Sequence, residues 1–160
     1  GLEVGHMVIQ RNGRQCNCGR KGCFETYASA AALVSDTKVA MENNRDSLLW
    51  EICPDIKKVN AKTRFDAYKS GDETASKVVD EYIANLAAGI VNLINIFQPE
   101  VLCIGGGVSN ERQFLIDLLM PYITTEDFAK NARERTKIVI AKFRNDAGII
   151  GAAMVGVKND

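Results

Sequence analysis

Hydrophobic positions along the chain follow helical spacing in some segments and strand-like runs in others. In residues 73–97 apolar side chains recur every three or four positions and cover more than a narrow stripe, which predicts a core helix buried on two sides. Residues 101–104 form an unbroken apolar run that ends at three glycines. Such a run is typical of a parallel strand covered on both faces. A second strand is predicted at residues 137–141.

The remaining segments predict mostly helices, with one further strand at residues 6–9. Residues 10–22 contain three glycines and two cysteines, with a third cysteine directly after them, so they cannot form a regular element. Asp46 and Asp146 are expected to cap the helices that follow them. Strands that alternate with helices near the end of the chain indicate an α/β layer arrangement. The further predicted helices cover residues 24–42, 46–53, 63–70, 111–120, 125–131 and 146–157.

Composition and charge narrow the class of protein. The 160 residues are 46% hydrophobic and 25% charged, with 20 basic and 20 acidic side chains, which fits one globular domain. The chain lacks the basic excess that nucleic-acid binding usually requires, and no apolar run approaches the roughly 20 residues that cross a bilayer. Neither a Met nor a signal peptide opens the chain at Gly1. We therefore expect an upstream part of a longer chain to be absent.

The cysteines are the first candidates for chemistry. Five are present, at positions 16, 18, 23, 53 and 103. An odd number without a secretory segment argues against a disulfide framework and favours a reducing compartment, the cytoplasm. Cys53 and Cys103 lie in a predicted helix and a predicted strand, where we expect them to be small buried hydrophobes.

Cys16 and Cys18 lie in the irregular stretch and Cys23 directly follows it, and His6, the single histidine of the chain, precedes all three. Three thiolates and one imidazole are a common ligand set for structural zinc. The spacing therefore predicts a zinc site, although unpaired loop thiols or a disulfide between two of them would also fit. Four protein ligands leave no open coordination position, so the zinc would position the loop and would not act as a Lewis acid.

Two motifs stand out in this region: residues 3–6 read Glu-Val-Gly-His, and residues 16–29 read Cys-Asn-Cys-Gly-Arg-Lys-Gly-Cys-Phe-Glu-Thr-Tyr-Ala-Ser. They resemble the signature of the ROK family, most closely its glucokinase branch. Residues 104–109 and 146–153 agree with the same family. The resemblance implies a helix-rich α/β chain with part of the actin-like (RNase H-like) sugar kinase fold. Residues 1–160 would be its C-terminal portion, with a zinc-binding loop at residues 6–25.

The resemblance also implies a role for individual residues. Glu3 and Glu25 would accept hydrogen bonds from sugar hydroxyls, a task suited to carboxylates because they are charged acceptors with two oxygens. His6 would face the sugar as well as the metal. Taken alone, each acid fits a solvated surface carboxylate better, and it is their placement at both ends of the metal loop that favours the role in sugar binding. The implied metal ligands are His6, Cys16, Cys18 and Cys23.

The activity implied for the complete protein is transfer of the γ-phosphoryl group of ATP, with magnesium, to a hexose. Glucose is the expected sugar, ahead of mannose or an N-acetylated hexosamine. The expected assembly is a homodimer, and no membrane or nucleic-acid partner is expected. Gly105, Gly106 and Gly107 would border the nucleotide, although they also fit a plain strand-to-helix turn. In the family the first phosphate-binding loop and the catalytic aspartate precede this segment. We therefore expect no catalytic residue in the 160 residues and no kinase activity from them alone.

Two other functions stay open at this point. A sugar-responsive transcriptional repressor of the same family would carry its DNA-binding winged helix outside this segment. A stand-alone interaction module stabilised by zinc is the second alternative. A helix-turn-helix pattern in the upstream sequence would indicate the repressor. An intact phosphate-binding loop upstream would indicate the kinase.

Overall fold

The computed structural model describes residues 3–129, 131 and 134–142. The chain divides into two compact units, Gly1–Ile90 and Val91–Asp160. The boundary between them falls inside the helix predicted at residues 73–97. The helix predicted at residues 146–157, and with it Asp146 as a cap, lies outside the described residues.

The first unit is helical in the part that the structure describes. Its 3-10 helices are Val4–His6 and Ile56–Lys58, and its α-helices are α1 (Glu25–Ala28), α2 (Ala30–Asn43), α3 (Leu48–Ile52), α4 (Ala61–Lys69) and most of α5 (Glu73–Phe97). The bounds of α5 confirm the predicted long helix. The strand predicted at residues 6–9 is wrong: Val8 makes one isolated antiparallel bridge, to Cys23. Met7 and Ile9, on either side of Val8, are in bends, and the bridge does not extend into a ladder.

The single helix predicted over residues 24–42 is two helices, because Ser29 interrupts it. Ser29 has extended backbone angles, φ −80° and ψ 160°, and its hydroxyl accepts a hydrogen bond from the backbone N–H of Ala32. This is an N-cap for α2, a role that serine performs well. Glu25 consequently opens a separate helix of only four residues, α1.

Capping side chains also decide where the next two helices begin. Ser47, not the predicted Asp46, caps α3 by accepting from the backbone N–H of Leu49. α4 begins two residues before its predicted start, because Asn60 caps it and the hydroxyl of Thr63 accepts from the N–H of Asn60 in return. This reciprocal capping box satisfies donors that the first turn leaves free.

Asp72 is a buried carboxylate that serves two helix starts at once. It accepts hydrogen bonds from the Ser47 hydroxyl at 3.0 Å and from the Leu48 backbone N–H at 2.9 Å, at the beginning of α3. It also accepts one from the Ala75 N–H at 2.6 Å in the first turn of α5. A negative charge at these positions is favourable for both helix dipoles. Asp72 therefore joins two elements that are far apart in sequence.

Replacing Asp72 with Ala is expected to lower the free energy of unfolding by about 2–3 kcal/mol, because it leaves the buried Ala75 N–H and the buried Ser47 hydroxyl without this acceptor. Urea unfolding followed by circular dichroism measures the change. Asp80→Ala is the matched control, because Asp80 lies on an exposed position of α5. Equal unfolding midpoints for the two variants would show that the shared cap does not stabilise the unit.

The second unit contains the end of α5, β1 (Val101–Ile104), a 3-10 helix (Gly107–Glu111), α6 (Gln113–Glu126) and β2 (Lys137–Ile140). The two strands pair in parallel, with Val101 opposite Lys137 and Ile104 opposite Ile140. The two predicted strands and the parallel character expected of β1 are thus confirmed. Within the described residues these two strands are the whole sheet.

The prediction that β1 is covered on both faces is wrong for the described residues. Val101 and Cys103 are exposed, and Leu102 and Ile104 are half-buried. Cys103 is therefore not the buried hydrophobe that was expected, whereas Cys53 is buried as predicted. An apolar run shows that a strand can be covered, but packing partners elsewhere in the chain decide whether it is.

α6 continues past the predicted end at residue 120 and includes Pro121. Proline removes one backbone hydrogen bond, here the bond to the Asp117 carbonyl. Asp117 and Pro121 are both exposed, so water can replace that bond. The Thr125 hydroxyl donates to the Pro121 carbonyl at 2.8 Å. The separate helix predicted at residues 125–131 is therefore wrong.

None of the helices in the described part of the chain combines the length and apolarity that a bilayer span requires.

Candidate metal centre

The cysteine-rich loop is irregular, as predicted, and short backbone hydrogen bonds fold it back on itself. The Cys16 N–H donates to the Arg20 carbonyl at 2.9 Å, and the Gly22 N–H donates to the Arg14 carbonyl at 2.8 Å. Gly22 has φ +80°, and a Cβ at this position would overlap the carbonyl oxygen of Gln10. Only glycine combines that backbone angle with so close an approach.

The fold of the loop brings together four side chains, His6, Cys16, Cys18 and Cys23, which we call the ligand cluster. Their ligand atoms all lie within 4.8 Å of one another. The Sγ atoms of Cys18 and Cys23 are 3.6 Å apart, and His6 Nδ1 is 3.7 Å from Cys16 Sγ. Tetrahedral zinc with bonds of the usual length requires about 3.8 Å between two sulfurs and about 3.5 Å between sulfur and nitrogen. The ligand cluster could therefore bind zinc.

The three thiols differ in their surroundings. A hydrogen bond with the Glu25 carboxylate raises the pKa of Cys16 to about 12. A hydrogen bond from the backbone N–H of Arg20 lowers the pKa of Cys18, which is exposed, whereas burial raises the pKa of Cys23. Metal ligation requires thiolates, and a bound cation stabilises them. A metal with two positive charges would offset the cost of holding buried thiolates here.

Glu25 contacts the ligand cluster directly, through one carboxylate oxygen. Its Oε1 accepts a hydrogen bond from Cys16 Sγ at 2.9 Å and lies 3.4 Å from His6 Nδ1. The side chain is nevertheless 42% exposed, so the same carboxylate also faces solvent. Gly5 lies against its Cβ and Oε2, where an added methyl group would be in van der Waals contact. The loop and this carboxylate therefore form one structural unit.

The other residues predicted to contact sugar or nucleotide, Glu3 and Gly105 to Gly107, make no side-chain contact with the ligand cluster among the contacts of the described residues. Glu3 is exposed, and its carbonyl accepts a hydrogen bond from the His6 N–H at 3.0 Å, so one turn of backbone joins it to the ligand cluster. Gly105 to Gly107 belong to the second unit and follow β1. Gly106 has φ +82°, and a Cβ on Gly106 or Gly107 would meet no heavy atom within 4 Å. This turn therefore presents open backbone.

The helix that begins with Glu25 is held in place by α5. Tyr82 of α5 donates its hydroxyl to the carbonyl of Ala28 at 3.0 Å, and burial raises the pKa of Tyr82, which keeps it a neutral donor. Phe24, the residue before α1, packs so closely on Gly89 that a Cβ there would overlap its ring. Neither contact could be read from the sequence, because each joins positions more than 50 residues apart.

A cavity of about 540 Å³ opens beside Glu25. Arg14 and Asp36, which no sequence motif marks, line it together with Glu25 and several polar residues. Arg14 and Asp36 form an ion pair at 2.8 Å. Nothing in the local sequence around either residue predicts this pairing, because they belong to the loop and to α2 and are 22 positions apart. The other polar lining residues are Gln15, Asn17, Thr26, Ser29 and Ser35.

Comparison with known proteins gives a consistent family. The profile described as "ROK family" matches residues 2–158. A glucokinase from Thermotoga maritima is 34% identical over 97% of this chain and 49% of its own length. A xylose repressor from Caldicellulosiruptor bescii is 29% identical over 96% of this chain and 38% of its own length. The chain therefore spans about half or less of the curated relatives it matches.

A solved structure supports the fold. The crystal structure of a ROK family glucokinase from Streptomyces griseus, in complex with glucose and AMPPNP, superimposes with a TM-score of 0.85 at 28% identity. The match covers 96% of this chain and 50% of that one. The predicted helix-rich α/β fold of ROK sugar kinases is thus confirmed for this chain.

Proposed function

The chain belongs to the ROK family, and we propose that it is the C-terminal portion of an ATP-dependent hexose kinase. Glucose is the proposed sugar and glucose 6-phosphate the product. The observation that carries the proposal is the Glu25 carboxylate, which contacts two members of the ligand cluster and still faces solvent. The likeness to proteins named glucokinase, one of them crystallised with glucose, supports the same assignment.

In this proposal Glu3, His6 and Glu25 hold the sugar. Zinc, when bound to the ligand cluster, supplies a fixed cross-link with no open coordination position. His6 turns Nδ1 toward Cys16, which leaves Nε2 to meet a sugar hydroxyl. Glu25 accepts hydrogen bonds from sugar hydroxyls with the part of its carboxylate that faces solvent. Rigid placement of these side chains orients the reacting hydroxyl, which accounts for much of the rate of phosphoryl transfer.

The nucleotide is proposed to lie against Gly105, Gly106 and Gly107. The open backbone of this turn supports the assignment, since glycines let a phosphate or a ribose approach the main chain. Magnesium would accompany ATP, and an aspartate outside residues 1–160 would remove the hydroxyl proton. We propose accordingly that residues 1–160 by themselves are inactive, and that the protein works as a homodimer in the cytoplasm.

A sugar-responsive repressor is the second candidate, because the match to the xylose repressor covers nearly the whole chain. In that case the Glu25 region would bind a sugar without transferring phosphate. The two functions differ in what ATP does, since only the kinase consumes it.

The deciding experiment uses the full-length protein with ATP, magnesium and a panel of glucose, mannose and N-acetylated hexosamines. We expect glucose-dependent release of ADP in a coupled assay and sugar binding by calorimetry. Sugar binding without ADP release would favour the repressor. The absence of both sugar binding and ADP release would favour the interaction module. Glucose-dependent ADP release by residues 1–160 alone would contradict the assignment of the catalytic base to another part of the protein.

A further inference from the structure

Arg14 contacts several residues in and around α1, the helix that begins with Glu25. Its guanidinium donates to Asp36 Oδ2 at 2.8 Å and to the Thr26 carbonyl at 3.1 Å. The same group lies 4.7 Å from the centre of the Tyr27 ring. Its backbone N–H donates to the Tyr27 hydroxyl at 2.6 Å. Its Nη2 also lies 3.9 Å from the exposed carboxylate of Glu81. Two of the four residues that Arg14 contacts, Thr26 and Tyr27, directly follow Glu25.

These contacts determine how α1 is held. A helix of four residues has too few internal hydrogen bonds to keep its own conformation, and α1 has no side-chain N-cap. Its orientation therefore depends on what it packs against. Arg14 binds it from the loop side and, through Asp36, joins it to α2. At Gly13 the chain passes so close to Tyr27 that a Cβ would overlap the tyrosine hydroxyl.

We propose that Arg14 is a positioning residue for Glu25, with Asp36 as its counter-ion, and that it sets the affinity for the sugar. This proposal rests on the proposed function, because it takes Glu25 as the sugar-binding carboxylate. Arg14 would act without touching the sugar, by fixing the direction in which the first residue of α1 projects. The ion pair is partly exposed and by itself contributes little.

The chemistry requires arginine in particular. A guanidinium is planar and carries several donors, so it can bind a carboxylate and a carbonyl while it stacks on an aromatic ring. A lysine ammonium could keep the charge contact with Asp36 but could not keep the stacking and the bond to Thr26 in the same geometry. Arg14→Lys should therefore behave more like Arg14→Gln than like the wild type.

The test measures steady-state kinetics, zinc content and thermal unfolding on the full-length protein with Arg14→Gln, Arg14→Lys and Asp36→Asn. We expect the KM for glucose to rise about tenfold in both Arg14 variants, the effect of losing roughly one charged hydrogen bond to the sugar. The KM for ATP should change less than about twofold, and zinc should stay at one ion per chain. Asp36→Asn should show a smaller rise, and the double variant Arg14→Gln with Asp36→Asn should be no worse than Arg14→Gln alone.

Arg11→Gln is the matched control, because Arg11 is an exposed arginine of the same loop. If Arg14 served only to stabilise the fold, its variants would lose unfolding temperature or zinc while the folded enzyme kept its KM for glucose. That result, or an equal rise in the KM for ATP, would overturn the proposal. If the wild type binds no sugar, the proposed function and the role of Arg14 both fall. If it binds sugar and the Arg14 variants bind it equally well, only the role of Arg14 falls.

Discussion

Replacing Cys23 with Ser is expected to remove the metal from the full-length protein and to lower kcat/KM for glucose by at least about a hundredfold. Cys23 is completely buried, its Sγ lies 3.6 Å from that of Cys18, and its carbonyl accepts a hydrogen bond from the Thr26 hydroxyl. A serine hydroxyl is a poor ligand for zinc, so the cross-link between the loop and the beginning of α1 would be lost. Without that cross-link the cysteine loop no longer holds Glu25 from the side of the ligand cluster.

Elemental analysis of the purified variant and a coupled kinase assay measure the two effects. Cys103→Ser is the matched control, because Cys103 is an exposed cysteine in the second unit. It should keep both metal and activity. A Cys23→Ser protein with one zinc per chain, or with wild-type activity in the presence of a strong chelator, would rule out the metal centre as described.

Glu25→Gln is expected to leave the zinc in place and to lower kcat/KM for glucose about a hundredfold. The amide has nearly the same shape but no charge and only one acceptor oxygen. Hydrogen bonds to a charged group contribute about 1.5–3 kcal/mol each. Weakening two such bonds would therefore account for the expected loss of kcat/KM. The ligand cluster does not include Glu25, which is why metal content and sugar affinity should separate in this variant.

Zinc content, calorimetric sugar binding and kinetics on the same preparation provide the measurement. Glu42→Gln is the control, because Glu42 lies at an exposed position of α2. An unchanged KM and kcat for glucose would remove Glu25 from the sugar site. Loss of zinc from Glu25→Gln would instead mean that the carboxylate supports the metal, and the proposed division of roles between the acid and the ligand cluster would be wrong.

The cysteine loop was predictable from the order of residues because its ligands lie within a short stretch. Cys16, Cys18 and Cys23 span eight positions, so any compact conformation brings them near one another. The long helix α5 was predictable for a related reason: its apolar period is a local property that persists over 25 residues. The ROK family followed from the same local motifs, and the profile match over residues 2–158 agrees with it.

Features that depend on distant partners could not be predicted in this way. The break at Ser29, the packing of α1 on Tyr82 and Gly89, and the contacts of Arg14 with Asp36 all depend on how separate segments meet. The exposure of Cys103 has the same origin, since coverage of a strand depends on other parts of the chain. Residue types and their spacing encode which ligands and helices can form, because those interactions are local. The direction in which Glu25 projects is a long-range property, and only packing between elements determines it.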